Sequence, residues 1–295
     1  MPFVYPPRGR PMRRAEVTTT PVPWPAVRVH NRLFDTEPLI LHASGPLELS
    51  PLWDELERGL FATPPEVSGA QRRDFTFFIW NSGAVVSHDR AKRLGTAERC
   101  LDRLGVPYGV LGRGIDPWKN VLKIQTLLDG LATVTTPYVM ACDSPDVLIL
   151  DDPGGCIERF EAFGADLVAI ADCSFWPPEY QDLKWHEERR PGAWGERFPY
   201  LNSGAFIGRT EFCREVFTAA ARMAEHQLAY PYVEGTSGAG TDADDQSIMK
   251  RLYIEHHPRM QLDLRCRIFQ TLTYQGSDVL RVRKDAGGAG RRRRR

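Results

Sequence analysis

The 295-residue chain carries 38 basic and 38 acidic side chains, with 42% hydrophobic and 10% aromatic residues, which excludes a wholly disordered polypeptide and suffices for one sizeable core. Its zero net charge hides a segregation: residues 1–30 hold five arginines against one acid and the last five residues are all arginine, so the remaining 28 basic and 37 acidic residues form a body near −9. An acidic body argues against a specific nucleic-acid partner, and no apolar run reaches the ~20 residues that a membrane-spanning helix needs.

In chain order, residues 1–30 read as a disordered Pro/Arg-rich leader. Pro2, Pro6, Pro7, Pro11, Pro21, Pro23 and Pro25 interrupt any packed element and any apolar signal core, so a cytoplasmic location is expected. The run Leu39-Ile40-Leu41 is a short strand that enters a loop at His42. Leu52, Trp53, Leu56 and Leu60 recur at helical spacing over 51–61. Phe75–Trp80 is a strand, 89–104 a helix, 108–111 a strand, 119–131 a helix, and 137–141 a strand that leads into Asp143 and Asp146. A strand over 147–150, a helix over 157–163 and a strand over 166–171 continue the alternation, which predicts an α/β fold with a mostly parallel central sheet and helices on both faces. Residues 174–199, rich in Trp, Pro and charge, read as a long functional loop. They are followed by PYLNSGAFIG, a helix near 211–229, a Gly-rich loop over 235–242, a helix to Tyr253 and the closing segment LDLRCRIFQ. One domain over 31–283 is expected, with a disordered basic tail over 284–295. The six cysteines are scattered without a CxxC pair, the pattern of reduced, buried side chains.

Several groups carry chemistry, each with a bland account beside the functional one. Asp143 and Asp146 follow an apolar strand, where carboxylates converge on a hard divalent cation or simply cap a turn. Asp244 and Asp245 stand at a helix start with Asp242 as its candidate N-cap; they complement the helix dipole or act on a substrate hydroxyl. Asn202, Ser203 and Gly204 suit a polyhydroxylated ligand or a plain turn. Lys123 neutralises a phosphate or sits exposed on its helix, and His42 alone reads more readily as structural. Trp176, Trp185 and Trp194 stack on sugars or anchor their loop.

Taken together, PYVMACDSPDVLIL, PYLNSGAFIG, DADDQSIMKRLY and LDLRCRIFQ, in that order, resemble the glycosyltransferase domain of the collagen lysyl hydroxylases and their bacterial relatives over roughly residues 75–270. The resemblance implies a glycosyltransferase-A, Rossmann-like fold that moves a hexose from a UDP-sugar to a hydroxylated acceptor with Mn²⁺, or Mg²⁺ in its place. It makes Asp143 and Asp146 metal ligands that hold the diphosphate. Trp80, Asn81, Lys123, Ser144, Ser203 and Gly204 then fall on the donor side, and Asn202, Asp244 and Asp245 become the catalytic candidates. The family's third metal ligand is a histidine in an HGNGP motif beyond the IFQ segment. Here no histidine follows Gln270, while EPLILHASGP before the first long strand looks like the missing piece with His42 in the ligand position, an order that implies circular permutation. Pro145 replaces the aromatic residue that the animal enzymes place between the aspartates, so base recognition must come from elsewhere. No hydroxylase-like iron segment is present. A sugar-nucleotide nucleotidyltransferase and a non-catalytic nucleotide-sugar-binding domain are the alternatives.

Overall fold

The run Phe75–Trp80 is apolar at every position but Thr76 because both of its faces are covered. The computed structural model describes residues 27–45, 52–62, 74–83, 95–190, 192–229, 244–272, 274–275 and 279–284. Phe75, Phe77 and Ile79 point into one buried cluster, and Phe78 and Trp80 into another on the opposite side. Strands β1 (Val27–Asn31), β2 (Ile40–His42), β3 (Phe75–Trp80), β4 (Gly109–Leu111), β5 (Tyr138–Asp143) and β6 (Val147–Ile149) are followed by β7 (Leu167–Asp172), β8 (Tyr200–Arg209), β9 (Met260–Leu262), β10 (Phe269–Thr271) and β11 (Leu280–Lys284). The helices are α1 (Trp53–Phe61), α2 (Thr96–Leu104), α3 (Leu122–Leu131), α4 (Gly155–Glu161), α5 (Gln181–Glu188), α6 (Thr210–Ala229) and α7 (Asp245–His256).

The central six-stranded sheet has the order β4-β3-β5-β8-β7-β9. β8 runs antiparallel to both of its neighbours, and the other pairings are parallel, as expected of a mostly parallel sheet. Buried residues of α1, α2 and α4 cover one face, and those of α3, α6 and α7 cover the other. β10-β2-β6 forms a second sheet and β1-β11 an antiparallel ribbon. Among the described residues no helix is long and apolar enough to cross a membrane. All six cysteines are unpaired, and five of them are buried.

The structure departs from the sequence reading at several places. Val27 and Val29 are buried in β1, so the body begins inside the stretch read as leader; the alternation of VRVHN is short and follows a proline-rich run. Residues 174–199 are not all loop: α5 lies within them, and its buried positions are Leu183 and Glu187, a pattern that hydrophobic periodicity misses because one member is a carboxylate. The N-cap of α7 is Asp244, whose side chain accepts from the Ser247 N–H, so Asp244 lies outside the first turn. Asp242, the Gly-rich loop, residues 1–26, 89–94 of the predicted helix over 89–104, and the basic tail from residue 285 lie outside the described residues.

Candidate metal centre

Parallel strands deliver their carboxyl ends to one edge of a sheet, and here β3 ends at Trp80 opposite Asp143 of β5, while β7 ends at Asp172. From Asp143 the chain turns through Ser144 and Pro145 to Asp146 and enters β6, where Val147 pairs with His42 of β2. The Ala43 N–H donates to the Asp146 carbonyl at 2.9 Å, extending that ladder by one step. Two separate sheets therefore meet at this turn and bring an imidazole to two carboxylates.

His42 Nε2 lies 3.4 Å from Asp146 Oδ2 and 4.0 Å from Asp143 Oδ2, and one ligand atom from each of the three residues falls within 4.8 Å of the others. Lys123 of α3 stands beside them, its Nζ 2.6 Å from Asp143 Oδ1 and 3.7 Å from Asp245 Oδ2. Burial pulls the His42 imidazole down, but the carboxylates of Asp146 and Asp143 outweigh it and leave it above its ordinary value. Burial also lowers the Lys123 amine, and Asp143 and Asp245 more than reverse that. Asp143 is raised by burial against the pull of Lys123. An imidazole gathered with two carboxylates is a donor set that fits a divalent metal ion. The other ring nitrogen of His42, Nδ1, is buried and has no hydrogen-bond partner among the described residues.

Gly204 gives that ring its room. A Cβ built there would lie 2.7 Å from His42 Nδ1 and closer still to Cε1. Gly204 belongs to a bulge: the register between β7 and β8 passes from Ala169↔Phe206 to Ala171↔Leu201, which sets Asn202, Ser203, Gly204 and Ala205 against Ile170 alone. Within it the Asn202 Oδ1 accepts from the Gly204 N–H at 2.8 Å, and Asn202 Nδ2 donates to Asp172 at 3.2 Å. Gln246 Oε1 accepts from the Ser203 N–H at 3.2 Å.

A small, mostly apolar cavity beside Lys123 is lined by Trp80, Ile124, Leu201, Asn202, Phe206 and Asp245 among others. The structure separates the two adjacent acids. Asp245 lines this cavity, whereas Asp244 caps the helix, and burial together with Asp245 pushes the Asp244 carboxyl up to about 7. Two expected donor-side residues sit apart from the cluster. Asn81 donates to Glu98 of α2 at 3.0 Å, and Ser144, fully buried, has its hydroxyl against Gly95 at the start of α2. Sequence reasoning missed Asp172, which accepts from Ser44 Oγ at 2.7 Å as well as from Asn202, tying the exit of β2 to the bulge. Its signal was a carboxylate closing the apolar run DLVAIA, the same pattern that drew attention to Asp143.

A sequence model of the PLOD GT domain family matches residues 98–291. The multifunctional procollagen lysine hydroxylase and glycosyltransferase LH3 of Homo sapiens and that of Pongo abelii are each 27% identical to this chain over 170 residues, covering 56% of it. The match spans 20% of the length of either relative. The crystal structure of a glycosyltransferase involved in the glycosylation of the major capsid of PBCV-1 is similar at 10% identity and a TM-score of 0.32, over 64% of this chain and 81% of that one.

Proposed function

The chain belongs to the PLOD GT domain family, and from that premise we propose that it is a metal-dependent glycosyltransferase that moves a hexose from a UDP-sugar to a hydroxylated acceptor. The observation that carries the reading is the convergence of His42, Asp143 and Asp146, contributed by two different sheets. These three side chains would hold the divalent ion, Mn²⁺ or Mg²⁺. When bound, the ion supplies Lewis-acid stabilisation of the diphosphate leaving group.

The remaining roles belong to the protein. Lys123, fixed between Asp143 and Asp245, adds a positive charge on the diphosphate side. Trp80 marks the nucleotide side at the end of β3, and Ser203 and Gly204 lie toward the sugar. Asn202 hydrogen-bonds the transferred hexose. Asp245 orients the acceptor hydroxyl and receives its proton, while Asp244, with a carboxyl that titrates near neutrality, fixes the start of the helix that carries Asp245. β2 runs parallel to β10, the strand of the IFQ segment, which supports reading His42 as the permuted counterpart of the family's histidine beyond that segment.

A product assay tests the proposal. With Mn²⁺ and a panel of UDP, GDP and TDP sugars, free nucleoside diphosphate is expected from the UDP donor, and Asp146→Ala is expected to lose that release while keeping its thermal midpoint. Pyrophosphate as the product would support the nucleotidyltransferase instead, and donor binding without turnover would support the binding domain.

A further inference from the structure

Glu187 and Lys250 take no part in the cluster around His42, yet both side chains are fully buried. Lys250 Nζ donates to Glu187 Oε2 at 2.7 Å and to the Leu201 carbonyl at 2.9 Å. Glu187 Oε1 accepts from the Leu201 N–H at 2.8 Å. Both polar groups of one backbone residue are therefore held by a pair of opposite charges. That residue is the last of β8 before the bulge of Asn202 to Ala205. Lys250 also stands 4.7 Å over the Phe175 ring, and one helical turn earlier Gln246 donates to the Trp176 carbonyl at 2.9 Å.

The attraction between the two charges adds little stability by itself, because apolar residues of equal volume commonly match or exceed a buried ion pair; what apolar residues could not do is satisfy the Leu201 N–H and carbonyl. Burial raises the Glu187 carboxyl against the pull of Lys250 and lowers the Lys250 amine against the pull of Glu187. What the pair supplies is register among three elements: Glu187 comes from α5, Lys250 from α7, and Leu201 from β8. Two of these elements carry residues that line the small cavity beside Lys123, Asn202 next to Leu201 and Asp245 on α7.

We propose that Glu187 and Lys250 are positioning residues for sugar transfer, locking α5, α7 and the Leu201 end of β8 so that Asn202 and Asp245 meet the substrates in one fixed geometry. The inference rests on the transferase reading above. The test compares the full wild-type chain with Glu187→Met/Lys250→Met, which exchanges the ion pair for an apolar one. The double variant leaves the buried Leu201 N–H and carbonyl without these partners, so it is expected to stay folded with a thermal midpoint several degrees lower. Its Ser203 and Gly204 amides, whose own hydrogen-bond partners are untouched, are expected to exchange at least ~10-fold faster beyond any change at the β3 and β5 amides. With Mn²⁺ and UDP-sugar its kcat is expected to fall on the order of 10- to 100-fold at an unaltered donor KM. Lys250→Gln, which keeps a donor toward the Leu201 carbonyl, is read in the same way if the double variant does not fold. Unchanged exchange at Ser203 and Gly204 overturns the proposal whether or not the wild type turns over sugar, and so does faster exchange with unchanged kcat or an increase spread over the whole sheet. Faster local exchange in a chain whose wild-type form has no turnover upholds the positioning geometry and overturns the transferase reading instead.

Discussion

A methyl group at Gly204 would overlap the buried His42 imidazole, so the ring must shift from the position it holds beside the carboxylates. Gly204→Ala is therefore expected to weaken Mn²⁺ binding by about 10- to 100-fold, the range seen when groups that orient metal ligands are disturbed. Calorimetric titration checks this, and an unchanged affinity would show that the ring is not held for the metal. Asp244 makes a second prediction at this scale. Burial and Asp245 raise its carboxyl to about 7, so the folded protein keeps a proton that the unfolded chain releases near pH 4. Stability tied to this proton is complete in acid and is lost as the pH climbs toward 7. Asn caps a helix as well as Asp does. Asp244→Asn is thus expected to raise the melting temperature of the metal-free protein by a few degrees at pH 8 and to leave it nearly unchanged at pH 4.5. A gain of equal size at both values would contradict the titration.

The elements set these residues in place, and some of that was legible in advance. β3 emerges with the bounds that its apolar run predicts, and α1 matches its helical spacing closely, because burial on a face or a stripe leaves a period in the sequence. The signal fails where polar groups do the holding. α5 hides its inner face behind Glu187, and the bulge of β8 is set by side chains that replace ladder partners. The segment LDLRCRIFQ was visible only as a pattern; its aspartate has a structural task. Asp263, fully buried, accepts from the N–H groups of Arg267, Ile268 and Phe269 at 2.8, 2.6 and 2.9 Å, turning the chain into β10. β10 in turn pairs with β2, Thr271 opposite His42. Asp263→Ala leaves buried N–H groups without an acceptor and is expected to cost about 2–4 kcal/mol in urea unfolding, and to weaken Mn²⁺ binding as well. A loss of stability with intact metal affinity would uncouple this loop from the site.

At the scale of the whole molecule, early and late parts of the chain are interleaved. β1 pairs with β11, and β2 is inserted between β10 and β6, so His42 precedes the central sheet in sequence yet lies in a strand paired with a late one. His42 has no spacing relation to Asp143 and Asp146, and its place could be inferred only from the resemblance of EPLILHASGP to a motif that lies elsewhere in the family. The carboxylates, by contrast, were readable from their position after an apolar strand. The account stands on these three side chains acting on one ion. The most direct test is a Mn²⁺ titration of the full chain in the presence of UDP, followed by electron paramagnetic resonance, for the wild type and for His42→Ala. One bound ion per wild-type chain and a loss of at least ~10-fold in affinity for the variant are predicted; a variant that binds Mn²⁺ as tightly as the wild type would contradict the account.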